Sequence, residues 1–345
     1  MAYNFNEIAL EKGMYGVSGK SFTEVLESMD PSESYKGGAL EGLDAYQRQL
    51  KRFDIKVRGT GSDPVEKFFS TAASSVLFPE YVSRSVKAGM EEGNILPSIT
   101  ATVTNFEGMD YRSIYSEAGR DEKSLRRVEE GAIIPQTQVK ASDHTIKLHK
   151  RGRMLVASYE AIRYQRLDLF SVMLRQIGSQ IMRMHLDDAI DVIKSGDGNT
   201  NAAESFTIGD AVINGTAGTL TYDALLKFWS RFDPYTLNTL LVAPDAMLKL
   251  LSLPVFQDAA AGLNFQGTGD LVNPLGAKLI KSAAVAPGTI IGLDRSYALE
   301  MIQSGDVSVE YDRLIDRQLE RAAITSISGF AKLYTDASKI LAIGG

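Results

Sequence analysis

The chain has no cysteine. That absence excludes disulfide frameworks, thiolate zinc sites, iron–sulfur clusters and a cysteine nucleophile, and it fits a reducing cytoplasm. No apolar run approaches the ~20 residues needed to span a bilayer. Met1 is followed by Ala2-Tyr3-Asn4-Phe5-Asn6-Glu7, which has neither the basic start nor the apolar stretch of a secretory signal. A soluble protein of the cell that makes it is the expectation. Positive charge is not in surplus: 37 Lys and Arg stand against 43 Asp and Glu, a formal net charge of −6. An acidic chain of this kind is a poor dedicated nucleic-acid binder, which needs a basic surface to replace counterions. There is no internal repeat and no low-complexity tract. What is present is 345 residues, 44 % hydrophobic and 23 % charged. This is a globular composition, about two domains long, able to bury a sizeable core.

The segments differ in character. Residues 1–64 hold two short amphipathic pieces, Phe22–Met29 and Leu40–Leu50, separated by the turn-rich Asp30-Pro31-Ser32-Glu33-Ser34 and Gly37-Gly38. That is too little apolar material for an independent core, so this stretch reads as an extended arm that docks on something else. Val65–Phe69 and Tyr81–Met90 have helical spacing, with Pro79 near the start of the second. Residues 103–150 carry eight acids and eight bases, 16 charges in 48 residues with no net charge and few large apolar side chains. Strand-like edges, Thr100–Thr104 and Thr145–Leu148, flank the charged middle and predict a long two-stranded projection. Such a ribbon makes no core of its own and is marginal alone in water. Its balanced charges favour a complementary surface over the alternative of a solvated loop.

The strongest periodicity follows. Leu167, Phe170, Leu174, Ile177, Ile181 and Met184 recur every three or four residues, and the stripe then shifts to Leu186, Ile190 and Ile193. Asp168 is placed to cap a helix and Gly196 to end it. A helix over 169–194 would be ~39 Å long at ~1.5 Å per residue, a spine for other elements. Beyond Gly196-Asp197-Gly198-Asn199 the pattern is mixed. A helix face comprises Leu225, Phe228, Trp229 and Phe232, followed by a buried strand Thr239–Val242 and a helix Asp245–Leu251 after Pro244. A glycine-rich loop spans 262–276. Strand-like segments occupy 277–280, 289–293 and 298–301, with Val307, Val309 and Tyr311 alternating as a half-exposed strand and a last apolar run over 322–334.

Residue chemistry alone yields no enzyme. Gly19-Lys20-Ser21 resembles the end of a phosphate loop, but Met14 stands where that loop needs glycine. Asp197-Gly198-Asn199-Thr200-Asn201 echoes a calcium loop, but Ala202 and Ile208 occupy the glycine and glutamate positions, so a helix-ending turn is favoured. His144, His149 and His185 offer no i, i+4 pair for zinc, and His185 reads as a packed helix residue. No Gly-x-Ser-x-Gly elbow occurs, because Lys20 follows Gly16-Val17-Ser18-Gly19. Glu129-Glu130 lies in the charged projection, where pKa tuning by burial is not expected. Catalytic, cofactor and metal sites are therefore all expected to be absent. Arms and projections that cannot bury themselves are instead the mark of a subunit.

The order of segments resembles the major capsid proteins of tailed double-stranded DNA phages, the Hong Kong 97-type capsid fold, an α+β architecture. The resemblance is carried by Thr145-Ile146-Lys147-Leu148-His149-Lys150-Arg151-Gly152-Arg153-Met154-Leu155-Val156-Ala157-Ser158-Tyr159-Glu160-Ala161-Ile162, then by Leu167-Asp168-Leu169-Phe170 with the long helix and Gly196-Asp197-Gly198. Asn238-Thr239-Leu240-Leu241-Val242-Ala243-Pro244 and Leu275-Gly276-Ala277-Lys278-Leu279-Ile280-Lys281-Ser282 continue it, so that it covers about residues 65–340. It implies an N-terminal arm over 1–64 and an E-loop over 103–150 that lies on a neighbouring subunit. A peripheral domain would be built from 65–102, 151–204 and 300–345 with spine helix 169–194, and an axial domain from 205–299. The implied function is a structural shell subunit that self-assembles through hexamers and pentamers around the genome. Arg120, Lys123, Arg126, Arg127, Glu129 and Glu130 are the expected assembly contacts. The implied partners are a separate scaffolding protein, a portal, a decoration protein, and packaged DNA held by weak, non-specific contact. The implied location is the virion capsid, assembled in the bacterial host cytoplasm. Two alternatives stand beside it: an encapsulin-type nanocompartment shell, and an α/β enzyme with an unrecognised site.

Overall fold

The computed structural model describes the chain except residues 1–4, 18, 107, 109, 113, 116–126, 128–129, 131–139, 142–144, 159–163, 200, 258–273, 306, 315–318 and 345. The helices among the described residues are α1 (Phe22–Met29), α2 (Ala45–Arg52), α3 (Ala72–Ser75), α4 (Phe78–Glu92), α5 (Leu167–Ser195), α6 (Tyr222–Trp229), α7 (Pro244–Leu251) and α8 (Pro254–Gln257). The strands are β1 (Thr100–Asn105), β2 (Asp110–Tyr111), β3 (Ile114–Tyr115), β4 (Lys140–Ala141), β5 (Ile146–Lys147), β6 (His149–Ser158) and β7 (Glu204–Thr207). They continue with β8 (Thr239–Val242), β9 (Lys278–Lys281), β10 (Thr289–Leu293), β11 (Leu299–Gln303), β12 (Ser308–Leu314), β13 (Leu319–Lys332) and β14 (Ser338–Ala342). The chain divides into two compact units. The first comprises residues 1–93, 151–182 and 306–326, and the second comprises 94–150, 183–305 and 327–345.

In the first unit, residues 1–64 are not an extended arm. A capping box starts α1: the Ser21 hydroxyl accepts from the Glu24 N–H, and the Glu24 carboxylate accepts from the Ser21 N–H. Asp44 and Gln47 make the same box for α2, which therefore starts at Ala45 and not at Leu40. Phe22, Leu26, Tyr46 and Leu50 are buried in one cluster with Phe68, Phe78, Tyr81, Phe170, Leu174, Ile177 and Ile181. The arm lacks material for a core of its own, as its composition says, and completes one supplied by α4 and α5. Arg48 ties this segment together internally. The Arg48 side chain is fully buried, its Nε donates to Asp30 Oδ2 at 2.6 Å, and its other nitrogens donate to the Asp30 and Leu43 carbonyls and to Ser32 Oγ. Helices α4 and α5 cross at glycines. A Cβ on Gly89 would lie 2.0 Å from the Arg175 carbonyl oxygen, and one on Gly178 2.0 Å from that of Val86. Strand β12 pairs antiparallel with the start of β13, from Ser308↔Thr325 to Leu314↔Leu319, and lays Val309 and Tyr311 on the same core.

The spine helix runs from Leu167, two residues before its expected start. Asp168 lies inside the first turn instead of capping it, where a carboxylate faces the positive end of the helix dipole. Met184 is 42 % exposed; Met182 and His185 take the buried positions expected of it, as the stripe drifts round the helix. Gly196 ends the helix with φ of 86°.

The second unit holds a mixed sheet in the order β7-β14-β10-β8-β9. Strand β8 is buried along its whole length, as its unbroken apolar run predicts for a central strand. Leu225 and Phe228 of α6 are buried, whereas Trp229, expected on the same face, is 47 % exposed. In a second sheet region β1 runs parallel to β11, from Thr102↔Glu300 to Asn105↔Gln303, and β11 runs antiparallel to the end of β13. The expectation that 100–104 and 145–148 flank the projection as partners is thus corrected: β1 takes its hydrogen bonds from a strand about 200 residues downstream.

Candidate assembly site

The described part of the charged stretch is a ribbon. Asp110↔Lys147 and Tyr111↔Ile146 pair antiparallel, and further out Ile114↔Ala141 and Tyr115↔Lys140 do the same. Its root is an apolar plug in which Ile146, Leu148, Ile302 and Ala331 are buried, with Phe106, Tyr111 and Ile327 against them. The Phe106 and Tyr111 rings meet edge-to-face at 5.3 Å.

Within that root lies a buried carboxylate. Glu300 of β11 is 6 % exposed, and its Oε1 accepts from Thr104 Oγ1 at 2.6 Å and from Tyr111 Oη at 3.0 Å. Burial, and then the hydrogen bond to Glu300, push the Tyr111 phenol above its ordinary value, so the hydroxyl keeps its proton and remains a donor. Sequence reasoning missed this trio. Thr104 and Tyr111 precede Glu300 by 196 and 189 residues, and no local spacing announces the contact.

Of the residues expected to make assembly contacts, Arg127 and Glu130 are exposed, while Arg120, Lys123, Arg126 and Glu129 lie outside the described residues. The other candidates resolve as structural. Ser21 is spent on capping α1. The Asp197 turn is a helix-ending clamp: Oδ1 accepts from the Asn199 N–H and Nδ2 and from Asn201 Nδ2, and Oδ2 accepts from the Lys332 N–H. His185 is 2 % exposed and His149 is exposed, while His144 lies outside the described residues. Among the described residues no group of three His, Asp or Glu could hold a metal, and no helix is long and apolar enough to cross a membrane. The glycine-rich loop expected over 262–276 falls mostly outside them.

Comparison with known proteins gives the same direction. The profile of a family described as phage capsid protein matches residues 142–331, just over half of the chain. Among solved structures, the capsid of a native GTA particle has a TM-score of 0.55 at 16 % identity, over 72 % of this chain and 90 % of that one. The capsid of an empty GTA particle gives 0.53 at 15 % identity, with the same coverage. A virus-like particle from Pyrococcus furiosus gives 0.50 at 13 % identity, over 76 % of this chain and 98 % of that one. At these identities the likeness is one of fold, and the fold is the α+β, Hong Kong 97-type architecture. No curated protein matches the sequence.

Proposed function

The chain belongs to the phage capsid protein family and is a structural capsid protein; from that premise we propose that it is the major shell subunit of a tailed double-stranded DNA phage. In this reading it self-assembles through hexamers and pentamers and performs no catalysis. The observation that carries the reading is the family match itself. It runs from the returning side of the ribbon through the spine helix and the buried sheet to β13.

The division of labour follows the expectation set out from the sequence. Residues 1–64 serve as an N-terminal segment folded onto the subunit's own core and 103–150 as the loop reaching a neighbour. Residues 65–102, 151–204 and 300–345 form the peripheral part, and 205–299 the axial part. A loop on one face meeting a different face of the next copy is a heterologous contact, which closes into rings when the rotation per subunit divides a full turn. Arg120, Lys123, Arg126, Arg127, Glu129 and Glu130 supply charge of both signs for that contact, which favours correct register over raw affinity. A separate scaffolding protein, a portal and a decoration protein complete the particle, and the genome touches it weakly and without sequence readout. Assembly takes place in the host cytoplasm.

Size-exclusion chromatography and negative-stain imaging of the purified chain test the proposal. Megadalton closed shells support it. A small oligomer that persists when the scaffolding protein is supplied overturns it, and shells that co-purify with an enzyme cargo overturn it in favour of an encapsulin-type compartment.

A further inference from the structure

We propose that Glu300 is a positioning residue for assembly: its carboxylate pins the root of the charged ribbon to β11 and sets the direction in which the ribbon continues from β1. The assembly role rests on the shell reading above; the pin itself rests on geometry. One oxygen, Glu300 Oε1, accepts hydrogen bonds from the hydroxyls of Thr104, near the end of β1, and of Tyr111, in the innermost paired segment of the ribbon. A single buried acceptor thus ties the strand that enters the ribbon, the ribbon itself and the sheet behind it.

Stability does not explain a carboxylate at this place. Phe106, Ile146, Leu148, Ile302 and Ala331 surround the root. Apolar side chains replacing the whole polar trio would hold the fold together as well or better, whereas removing Glu300 alone leaves the Thr104 and Tyr111 hydroxyls without this acceptor and loosens the root locally. Direction is what the carboxylate adds. Apolar burial is non-directional, whereas a hydrogen bond weakens steeply off its axis. Two hydroxyls converging on one oxygen fix the Tyr111 ring, and with it the ribbon, at one rotation about β1.

Full-length Tyr111→Phe, Glu300→Leu and Glu300→Gln chains test this with two readouts. One is hydrogen exchange of the root amides, residues 100–111 and 145–148, in the unassembled subunit. The other is the proportion of closed particles by negative stain and sedimentation. Tyr111→Phe and Glu300→Leu are expected to speed root exchange about tenfold or more, the size of one lost hydrogen bond to a buried carboxylate, while Glu300→Gln, which keeps a carbonyl acceptor, stays within about twofold of wild type. The first two also convert closed shells to open or irregular ones, and Glu300→Gln restores closure. Should Glu300→Leu fail to fold, Tyr111→Phe decides, because it removes a single oxygen. Unchanged root exchange in Tyr111→Phe overturns the pin. Faster exchange with normally closed shells overturns its role in assembly. A wild-type chain that forms no particles overturns the shell reading and the assembly role with it, while the exchange data still decide the pin.

Discussion

Lys332→Met should make the protein more stable at neutral pH. Lys332, at the end of β13, is 3 % exposed, and its ammonium has no hydrogen-bond acceptor among the described residues. Burial lowers its pKa from 10.5 to about 8, against the pull of Asp197 and Asp336 and with a push from Lys339. At roughly 1.4 kcal/mol per pH unit, that displacement is a folding penalty of about 3 kcal/mol on the charged form, to order of magnitude. The sign follows from proton counting. Below about pH 8 the lysine is charged in both states and the full penalty acts. Between about 8 and 10.5 the folded chain has released the proton and the unfolded chain still holds it, so stability climbs with pH. Above 10.5 the penalty is gone. Methionine fills the space of the stem without an ammonium, and the backbone N–H of residue 332 keeps its bond to Asp197. Urea unfolding of the unassembled chain at pH 7 and pH 10 reads both effects, and the difference between variant and wild type cancels the other groups that titrate in that range. The variant is expected to be about 1–3 kcal/mol more stable at pH 7 and to show a flatter profile to pH 10. A variant less stable than wild type at pH 7, or parallel pH profiles for the two proteins, would refute the reasoning.

Arg48→Met leaves Asp30, 1 % exposed, without its buried cation; a loss of about 3–5 kcal/mol is expected, with proteolytic cuts confined at first to residues 1–57, and an unchanged melt would show the tie to be idle. Gly178→Ala places a methyl against the Val86 carbonyl and should cost about 1–3 kcal/mol by thermal melting, whereas a neutral result would mean that α4 and α5 can part freely. Arg126 and Arg127 both changed to Glu take residues 103–150 from no net charge to −4. The subunit should still fold, and particle yield at low salt should fall; normal yield would return the segment to a solvated loop. Mature particles boiled in SDS should run as a single band near 37.6 kDa. The fold's namesake joins a loop lysine to a peripheral-domain asparagine, and residues 274–345 contain no asparagine. A reductant-resistant ladder would contradict that expectation.

The sequence announces what is local. Helix α1 matches its expected span residue for residue, because Ser21 and Glu24 form a capping box ahead of Leu26. The same signal was present for α2 in Asp44 and Gln47 and was masked by the apolar Leu40 and Leu43 ahead of it, which lie in a turn region. The spine helix is legible because its stripe repeats through about seven turns. Pairings over long sequence distances are not legible. Nothing in Thr100–Asn105 distinguishes a partner at 145–148 from one at 299–303, since either would suit an alternating Thr/Val strand. The glycine crossing of α4 and α5 is equally silent, because Gly89 and Gly178 each read as a weak point in a helix until the two helices are brought together. The trio of Glu300, Thr104 and Tyr111 is hidden for the same reason.

Four charged groups, the buried Arg48, Asp294 and Glu300 and the half-buried Asp197, sit at junctions between segments separated in sequence, and that placement bears on what a shell subunit needs. Arg48 joins α2 to the turn after α1 through Asp30. Asp294 gathers the Thr236 N–H and Asn238 Nδ2 from across the buried sheet. Asp197 clamps the end of α5 to β13, and Glu300 joins the ribbon to β11. Each desolvates a charge that an apolar residue would spare, so each is a poor way to add stability and an effective way to fix an angle. For a monomeric enzyme a few degrees of play at such a joint is harmless away from the active site. In a closed shell every copy repeats the same joint, and the rotation per subunit must divide a full turn for the ring to close. Angular precision at the ribbon root is therefore under a demand that grows with the number of copies, whereas stability is required only once per chain. A subunit built on that demand should tolerate volume-conserving changes in its apolar clusters better than it tolerates the loss of a single hydroxyl at Tyr111.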